Sequence, residues 1–286
     1  MQLINNTVQH TNCPICAASG IQRVGNVDYL TPLRFSTTEI QLTNKPELYH
    51  CTQCLSGFIQ NAVPEATAME LYANSVSGER WKAAPFRQMK TPNVVQALLD
   101  IFPARSHVLD VGCNTGELLD LAKENGCITY GNELSAESQK ILLAKGHKVC
   151  LNLSEIEDGS LDVIAAFDLV EHLYDMPGFL KFCKSKLKKD GRMVILTGNI
   201  RSKSARWAGS NWWYLKYPEH VVFAAPAFYQ SLGFKVERLI HTYASVGYKR
   251  SAFARIKSLI IGKLTGKYRG LASWGPDHYL AILKND

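Results

Sequence analysis

Residues 108–116 read VLDVGCNTG, and the fold is decided by how this stretch is read. Val108, Leu109 and Val111 supply an apolar strand, Asp110 stands at its carboxyl end, and Gly112 and Gly116 let the backbone pass close to a ligand with no Cβ in the way. A helix is expected next, over 117–123 (ELLDLAK), with its first turn facing the same ligand. About 20 residues beyond the first glycine, at the end of the next apolar run (ITYGNEL), stands Glu133, placed to accept hydrogen bonds from a ribose diol. Together these residues point to a nucleoside ligand.

Glycine spacing separates two readings of the turn. A pyrophosphate site needs G-x-G-x-x-G, so that the phosphates sit on the helix N-terminus. Here Cys113-Asn114 stands where the middle glycine would be, and Asp110 would repel pyrophosphate. An acid there suits a cation such as an α-ammonium group. The stretch resembles motif I of class I S-adenosylmethionine (SAM)-dependent methyltransferases, where an acid and any residue precede a G-x-G-x-G tolerant at its middle position. The resemblance implies SAM as cofactor, held by Asp110, Gly112, Cys113, Asn114, Gly116, Glu133 and Leu134.

The order of later elements agrees with it. HVLDV, ITYGNE, HKVCLN, LDVIAAFD and RMVILTGN read as strands, separated by helices ELLDLAKEN, SAESQKILLAKG and MPGFLKFCKSKLKK. Such alternation implies right-handed crossovers and a doubly wound parallel α/β sheet with helices on both faces. A short helix (AAPAFYQSLGF) and strands FKVERLIHTY and DHYLAILK follow. The closing pair resembles the antiparallel seventh strand of the seven-stranded, Rossmann-like methyltransferase sheet. Ligands of such sheets collect at the carboxyl ends of the strands.

The 286 residues, 46% hydrophobic, are enough for one substantial core and a small accessory domain. A net charge of +7 favours anionic partners without choosing among them. No signal-peptide pattern opens the chain and no apolar run approaches the ~20 residues that span a bilayer, so a cytoplasmic location is expected. Four of the eight cysteines form two knuckles, Cys13-Pro-Ile-Cys16 and Cys51-Thr-Gln-Cys54; the others are scattered. Two Cys-x2-Cys turns complete a tetrahedral S4 site that favours Zn2+, with no open position, hence structural. A small zinc-ribbon-like domain is expected over 1–60, whose folding the metal would largely drive. A helical linker or lid is expected over 61–104, with TAMELYANS and PNVVQALLDIF as its periodic stretches. Between them the run from Arg80-Trp81 to Arg87-Gln88 mixes aromatic and basic residues and suits either a lid or packing between domains. The methyltransferase domain is expected over 105–286.

Within the resemblance, Asn152 and Leu153 fall after the third strand, where the family grips adenine, with Asn in place of a frequent Asp. Asp168-Leu-Val-Glu171-His172 follows the fourth strand and resembles the acid-x-x-Glu-His motif of small-molecule O-methyltransferases such as those of ubiquinone synthesis. Some relatives hold a divalent metal there, which would make Asp168, Glu171 and His172 ligands. In others His172 lines the active site and Glu171 is structural, which is the reading taken here; Asp168 is assigned to the cofactor. Trp207, Trp212 and Trp213 lie in the loop RSKSARWAGSNWWYLKYPEH and suit sugar faces or a core cap. Pro218-Glu219-His220 resembles a segment of glycan-associated methyltransferases, which would bring His220 to the acceptor side. A hydroxyl acceptor must lose its proton, and His172 and His220 are the candidate bases.

Residues 238–276 hold eight Lys or Arg and no acid. Within them Phe253, Ile256, Leu259, Ile260 and Leu264 recur at helical spacing beside the cations. This insertion, about 245–275, suits a solvated surface helix or a peripheral membrane contact.

Zinc knuckles, motif I, the Glu-His motif and the PEH segment together resemble the zinc-binding methyltransferases of bacterial sugar and polysaccharide gene clusters. Deoxysugar C-methyltransferases of that family continue into a further C-terminal domain, so this chain is expected to O-methylate a sugar or related small acceptor. Two alternatives stay open. An RNA methyltransferase would use the basic insertion on phosphates, but no Asn-Pro-Pro-Tyr type motif follows the fourth strand, so nucleic acid is not the expected partner. A non-catalytic SAM-binding module would bind cofactor without turnover.

Overall fold

The computed structural model describes residues 2–29, 32–35, 38–73, 84–246, 251–265 and 275–286. The N-terminal strands are β1 (Gln2–Ile4), β2 (Ile21–Asn26), β3 (Leu33–Phe35), β4 (Thr38–Leu42), β5 (Glu47–Cys51) and β6 (Gly57–Gln60). Three helices follow, α1 (Glu65–Ala73), α2 (Phe86–Met89) and α3 (Pro92–Leu99). The expected run from Arg80-Trp81 begins outside the described residues.

Alternation then proceeds as β7 (His107–Val111), α4 (Glu117–Glu124), β8 (Ile128–Asn132), α5 (Ala136–Ala144), β9 (Lys148–Val149), β10 (Leu161–Phe167), α6 (Met176–Lys186) and β11 (Leu187–Gly198). The chain continues through α7 (Lys203–Ala208), β12 (Val222–Phe223), α8 (Phe228–Ser231), β13 (Phe234–Thr242), α9 (Ala252–Thr265) and β14 (His278–Asn285). Seven strands form one sheet in the order β13-β14-β11-β10-β7-β8-β9. Neighbours from β11 to β9 are parallel, and β14 runs antiparallel between β11 and β13. This is the expected doubly wound sheet with its antiparallel seventh strand.

Strand alternation distributes side chains to two cores. Leu109 and Val111 of β7, Ile164 and Ala166 of β10, and Met193 and Ile195 of β11 pack on one face with Leu180 and Cys183 of α6. Val108, Val163, Ala165 and Val194 pack on the other with Leu119 and Ala122 of α4 and Val95 and Leu98 of α3. Local signals fix the helix starts: Ser135 caps α5 by accepting from the Ser138 amide, and Asp175 caps α6 by accepting from the Gly178 amide at 2.9 Å.

Two expected boundaries move. The helix read over 176–189 ends at Lys186, because Leu187–Lys189 turn into β11 and Leu187 pairs with Leu161. The third strand shrinks from HKVCLN to Lys148–Val149, since among the described residues it is an edge strand paired only with β8.

The N-terminal strands form two small sheets, β1-β4-β3 and β12-β6-β5-β2. One strand of the second comes from far along the chain: Val222 pairs with Phe58 and Phe223 with Gly57. Leu48, Phe58 and Ile59 bury into the same core as Ile195 and Tyr279. The cysteine module therefore shares its hydrophobic core with the large sheet.

Candidate active site

Asp110, at the carboxyl end of β7, is buried. The turn after it closes on the neighbouring strand, with the amides of Gly112 and Cys113 donating to the Asn132 carbonyl at 2.8 and 3.2 Å. Both motif glycines have left-handed backbone, φ +70° at Gly112 and +82° at Gly116. A Cβ at Gly112 would lie 3.2 Å from Leu169, and one at Gly116 2.6 Å from Leu142. Their small size serves the turn and the protein's own packing.

Glu133 meets that turn from β8. It accepts from the Asn114 amide at 3.0 Å and the Ser135 amide at 2.9 Å, so its carboxylate holds the glycine loop against the start of α5. Burial, and then the charges of Glu117 and Glu133, push the Asp110 carboxyl well above its ordinary range. A buried acid so disfavoured as an anion would gain from a cation beside it. Cys113 turns its thiol into the core with Leu119 and Leu142. Leu134 is exposed at the end of β8. Asn152 is exposed too, and its carbonyl oxygen accepts from the Ser154 amide and hydroxyl at 3.0 and 2.8 Å. The acceptor expected to face adenine is thus engaged in its own turn, beside a half-buried Leu153.

A second cluster lies after β10. Asp168 has φ +49°, and its carboxylate meets Lys90 Nζ at 3.3 Å and accepts from the Tyr214 hydroxyl at 3.2 Å. Burial opposes the charge, but Lys90, His278 and Lys216 together hold the carboxyl below its ordinary range. Glu171 is buried and accepts from the Tyr214 hydroxyl and, at 2.9 Å, from Thr197 Oγ1. Burial and the nearby Asp168 charge push its carboxyl up to about 7. His172 Nδ1 lies 2.9 Å from the hydroxyl of Tyr72 on α1. Its ring meets that of His220 edge to face at 4.6 Å.

His220, expected on the acceptor side, is walled in by protein. It is buried, and its Nδ1 donates to the Tyr214 carbonyl at 2.8 Å. Burial lowers the basicity of both rings, of His220 the further. Ligand atoms of Glu171, His172 and His220 lie within 4.8 Å of one another, whereas Asp168 faces Lys90. Both Glu171 oxygens already accept protein hydrogen bonds.

Several members of this cluster escaped sequence reading. Tyr72, Lys90, Thr197 and Tyr214 are brought in from 26 to 100 positions away in the chain, with no local pattern to mark them. Asp277-His278 carried a visible signal, an acid-His pair opening the last strand. Asp277 accepts from the indole nitrogens of Trp212 and Trp213, and its other oxygen meets His278 Nδ1 at 3.0 Å. Trp212 is thereby a core cap, while Trp207 stays exposed.

At the N-terminus, Cys13 Sγ lies 3.8 Å from Cys54 Sγ and Cys16 Sγ 3.5 Å from Cys51 Sγ. Four sulfurs ~2.3 Å from a tetrahedral zinc would stand ~3.8 Å apart. The amides of Ile15 and Gln53 donate to Cys13 and Cys51 sulfurs, each at 3.4 Å, as stabilised thiolates require. The four cysteines fit a structural zinc.

A family model described as a methyltransferase domain matches residues 63–235. The chain belongs to that family. It carries a class I SAM-dependent methyltransferase domain, as motif I and the sheet order anticipate. Among curated proteins, the methyltransferase is 31% identical over 107 residues to the ubiquinone biosynthesis O-methyltransferase of Idiomarina loihiensis, covering 34% of this chain and 44% of that protein. It is 32% identical over 105 residues to the enzyme of the same name from Bradyrhizobium diazoefficiens, covering 34% and 42%. The chain thus spans less than half the length of these relatives. Among solved structures, a SAM-dependent methyltransferase from Archaeoglobus fulgidus aligns with a TM-score of 0.49 at 24% identity, covering 67% of this chain and 91% of that one.

Proposed function

We propose that this methyltransferase transfers the methyl of SAM to a hydroxyl oxygen of a small acceptor, a sugar or glycan precursor of cell-envelope or polysaccharide biosynthesis. The observation that carries the reading is one edge of the sheet. Asp110 ends β7, His172 follows β10, and these strands are parallel neighbours, so a cation receptor and a candidate base open on the same side. Support for oxygen as the target comes from the relatives' names, and support for a sugar from the sequence resemblance to glycan-cluster enzymes.

Bound SAM supplies an activated methyl carbon on a sulfonium. Asp110 and the glycine loop fix the cofactor, a positioning effect that can supply several kcal/mol, up to ~10. His172 takes the acceptor proton as its oxygen bonds to the methyl and the carbon–sulfur electron pair leaves with sulfur. Tyr72 engages Nδ1, which leaves Nε2 for the proton, and general-base help of this kind contributes roughly 100-fold or more. His172 is half-buried and His220 buried, so His172 is assigned the base and His220 the packing partner that sets its ring plane. Lowered basicity keeps His172 neutral into mildly acidic solution. The acid limb of kcat/KM is therefore expected below pH 6.5, the ordinary histidine value, and is expected to vanish in His172→Ala. An acid limb unchanged in that variant removes His172 from the role.

Incubation with labelled SAM and a panel of nucleotide-sugars, lipid-linked glycan precursors and ubiquinone precursors, followed by mass spectrometry, tests the acceptor. A methyl on a sugar hydroxyl is expected. A methyl on a ubiquinone precursor alone would move the acceptor to the class for which the relatives are named. SAM binding without turnover on any of them would favour the non-catalytic module.

A further inference from the structure

Helix α9 presents its apolar side away from the protein. At about 100° per residue, Phe253, Ile256, Ile260 and Leu264 fall within an arc of about 80°. They are 77, 56, 55 and 80% exposed. Gly262, on the opposite side of the helix, is its one buried position among the described side chains, which leave out Arg255, Ser258 and Leu259. A helix of a water-soluble surface is turned the other way, with its apolar stripe inward.

Charge indicates what covers the stripe. The segment from 238 to 276 carries eight cations and no anion. With Ile261, 38% exposed, the apolar arc widens to about 140° and takes in Lys257, which lies between Leu264 and Ile261 on the helix circumference and is exposed, as is Lys263 at the arc's other rim. In a protein groove, an ammonium within the stripe would be buried without a partner. At a lipid surface its four-carbon stem lies among acyl chains while the head reaches the phosphates.

The insertion also leaves the fold at a telling place. Thr242 and Gly198 both pair with His278, so β13 ends and β14 begins at the edge where β11 ends and the candidate site opens. Lys90 ties the two together, reaching Asp168 at 3.3 Å and the Ala244 carbonyl at 2.9 Å.

We propose that α9 is an interfacial helix that docks the methyltransferase on an anionic lipid bilayer, with the edge of the sheet that carries the active site toward the membrane. The proposal is independent of which acceptor is methylated, and its test needs neither SAM nor turnover. The full chain is floated with vesicles of phosphatidylglycerol and phosphatidylcholine, or of phosphatidylcholine alone. Flotation with the anionic vesicles only, weakened by salt, is expected. Ile256→Asp with Ile260→Asp is expected to lower vesicle affinity at least about tenfold, and Lys257→Glu with Lys263→Glu to lower it on anionic vesicles. Both variants are expected to keep the wild-type melting temperature and calorimetric binding of S-adenosylhomocysteine, because the altered side chains are exposed. The proposal is overturned if the wild type floats with neither vesicle or equally with both, or if the aspartate variant still floats. It also fails if the stripe instead joins two copies, seen as a dimer that the aspartate variant splits.

Discussion

Asp110 is buried beside two other acids at the point where a cationic ligand is expected, and its titration should report on binding. A folded-state pKa above the unfolded value means that the folded chain holds a proton the unfolded chain has released. Stability of the free protein should therefore fall as pH rises above the ordinary aspartate range, and added SAM should remove that slope by expelling the proton. Melting temperature against pH, with and without SAM, checks both statements. Asp110→Asn keeps the shape and loses the charge, and should weaken SAM roughly tenfold to a hundredfold by calorimetry. Glu171 invites a similar test with a different outcome. Its carboxyl, near 7 in the fold against an ordinary 4.5, contributes stability that is present at acidic pH and lost as pH rises through that window. Glu171→Gln should lack this loss while staying close to the wild type near pH 5, where a neutral carboxyl and an amide each present one acceptor oxygen and one donor to the Tyr214 and Thr197 hydroxyls.

The elements differ in what holds them. Helices α5 and α6 have side-chain caps, α4 buries Leu118, Leu119, Leu121 and Ala122, and the central strands β10 and β11 are buried along most of their length. The cysteine knuckles have short strands and a site whose sulfur spacing suits zinc. One zinc per chain is expected by elemental analysis. Cys16→Ser should lose the metal and lower the melting temperature, because free energy of metal binding is folding free energy in so small a module. Wild-type stability that a strong chelator leaves unchanged would mean that packing alone holds these strands.

Across the whole molecule, the knuckle strands and the large sheet share one core through β12 and Phe58. Melting is accordingly expected to be a single transition, with zinc loss shifting all of it. Phe223 is fully buried at that junction, and Phe223→Ala should cost about 3–5 kcal/mol. Two separate transitions by calorimetry would show that the modules fold independently.

The chain's local patterns determined a great deal. Strand, acid and glycine turn lie within nine residues at 108–116 with the helix directly after them, and the alternation that follows can form only a small set of sheets, because crossover handedness and strand periodicity are properties of short segments. The knuckle pairs were equally legible, each being one turn of chain. What only the tertiary structure decided are contacts between distant segments: Tyr72 against His172, Lys90 against Asp168, Tyr214 against Glu171, and a strand at 222–223 completing a sheet begun near residue 21. Sequence could nominate both histidines but not tell the half-buried His172 from the enclosed His220. Burial is a property of everything packed around a side chain, and none of it is written next to the residue.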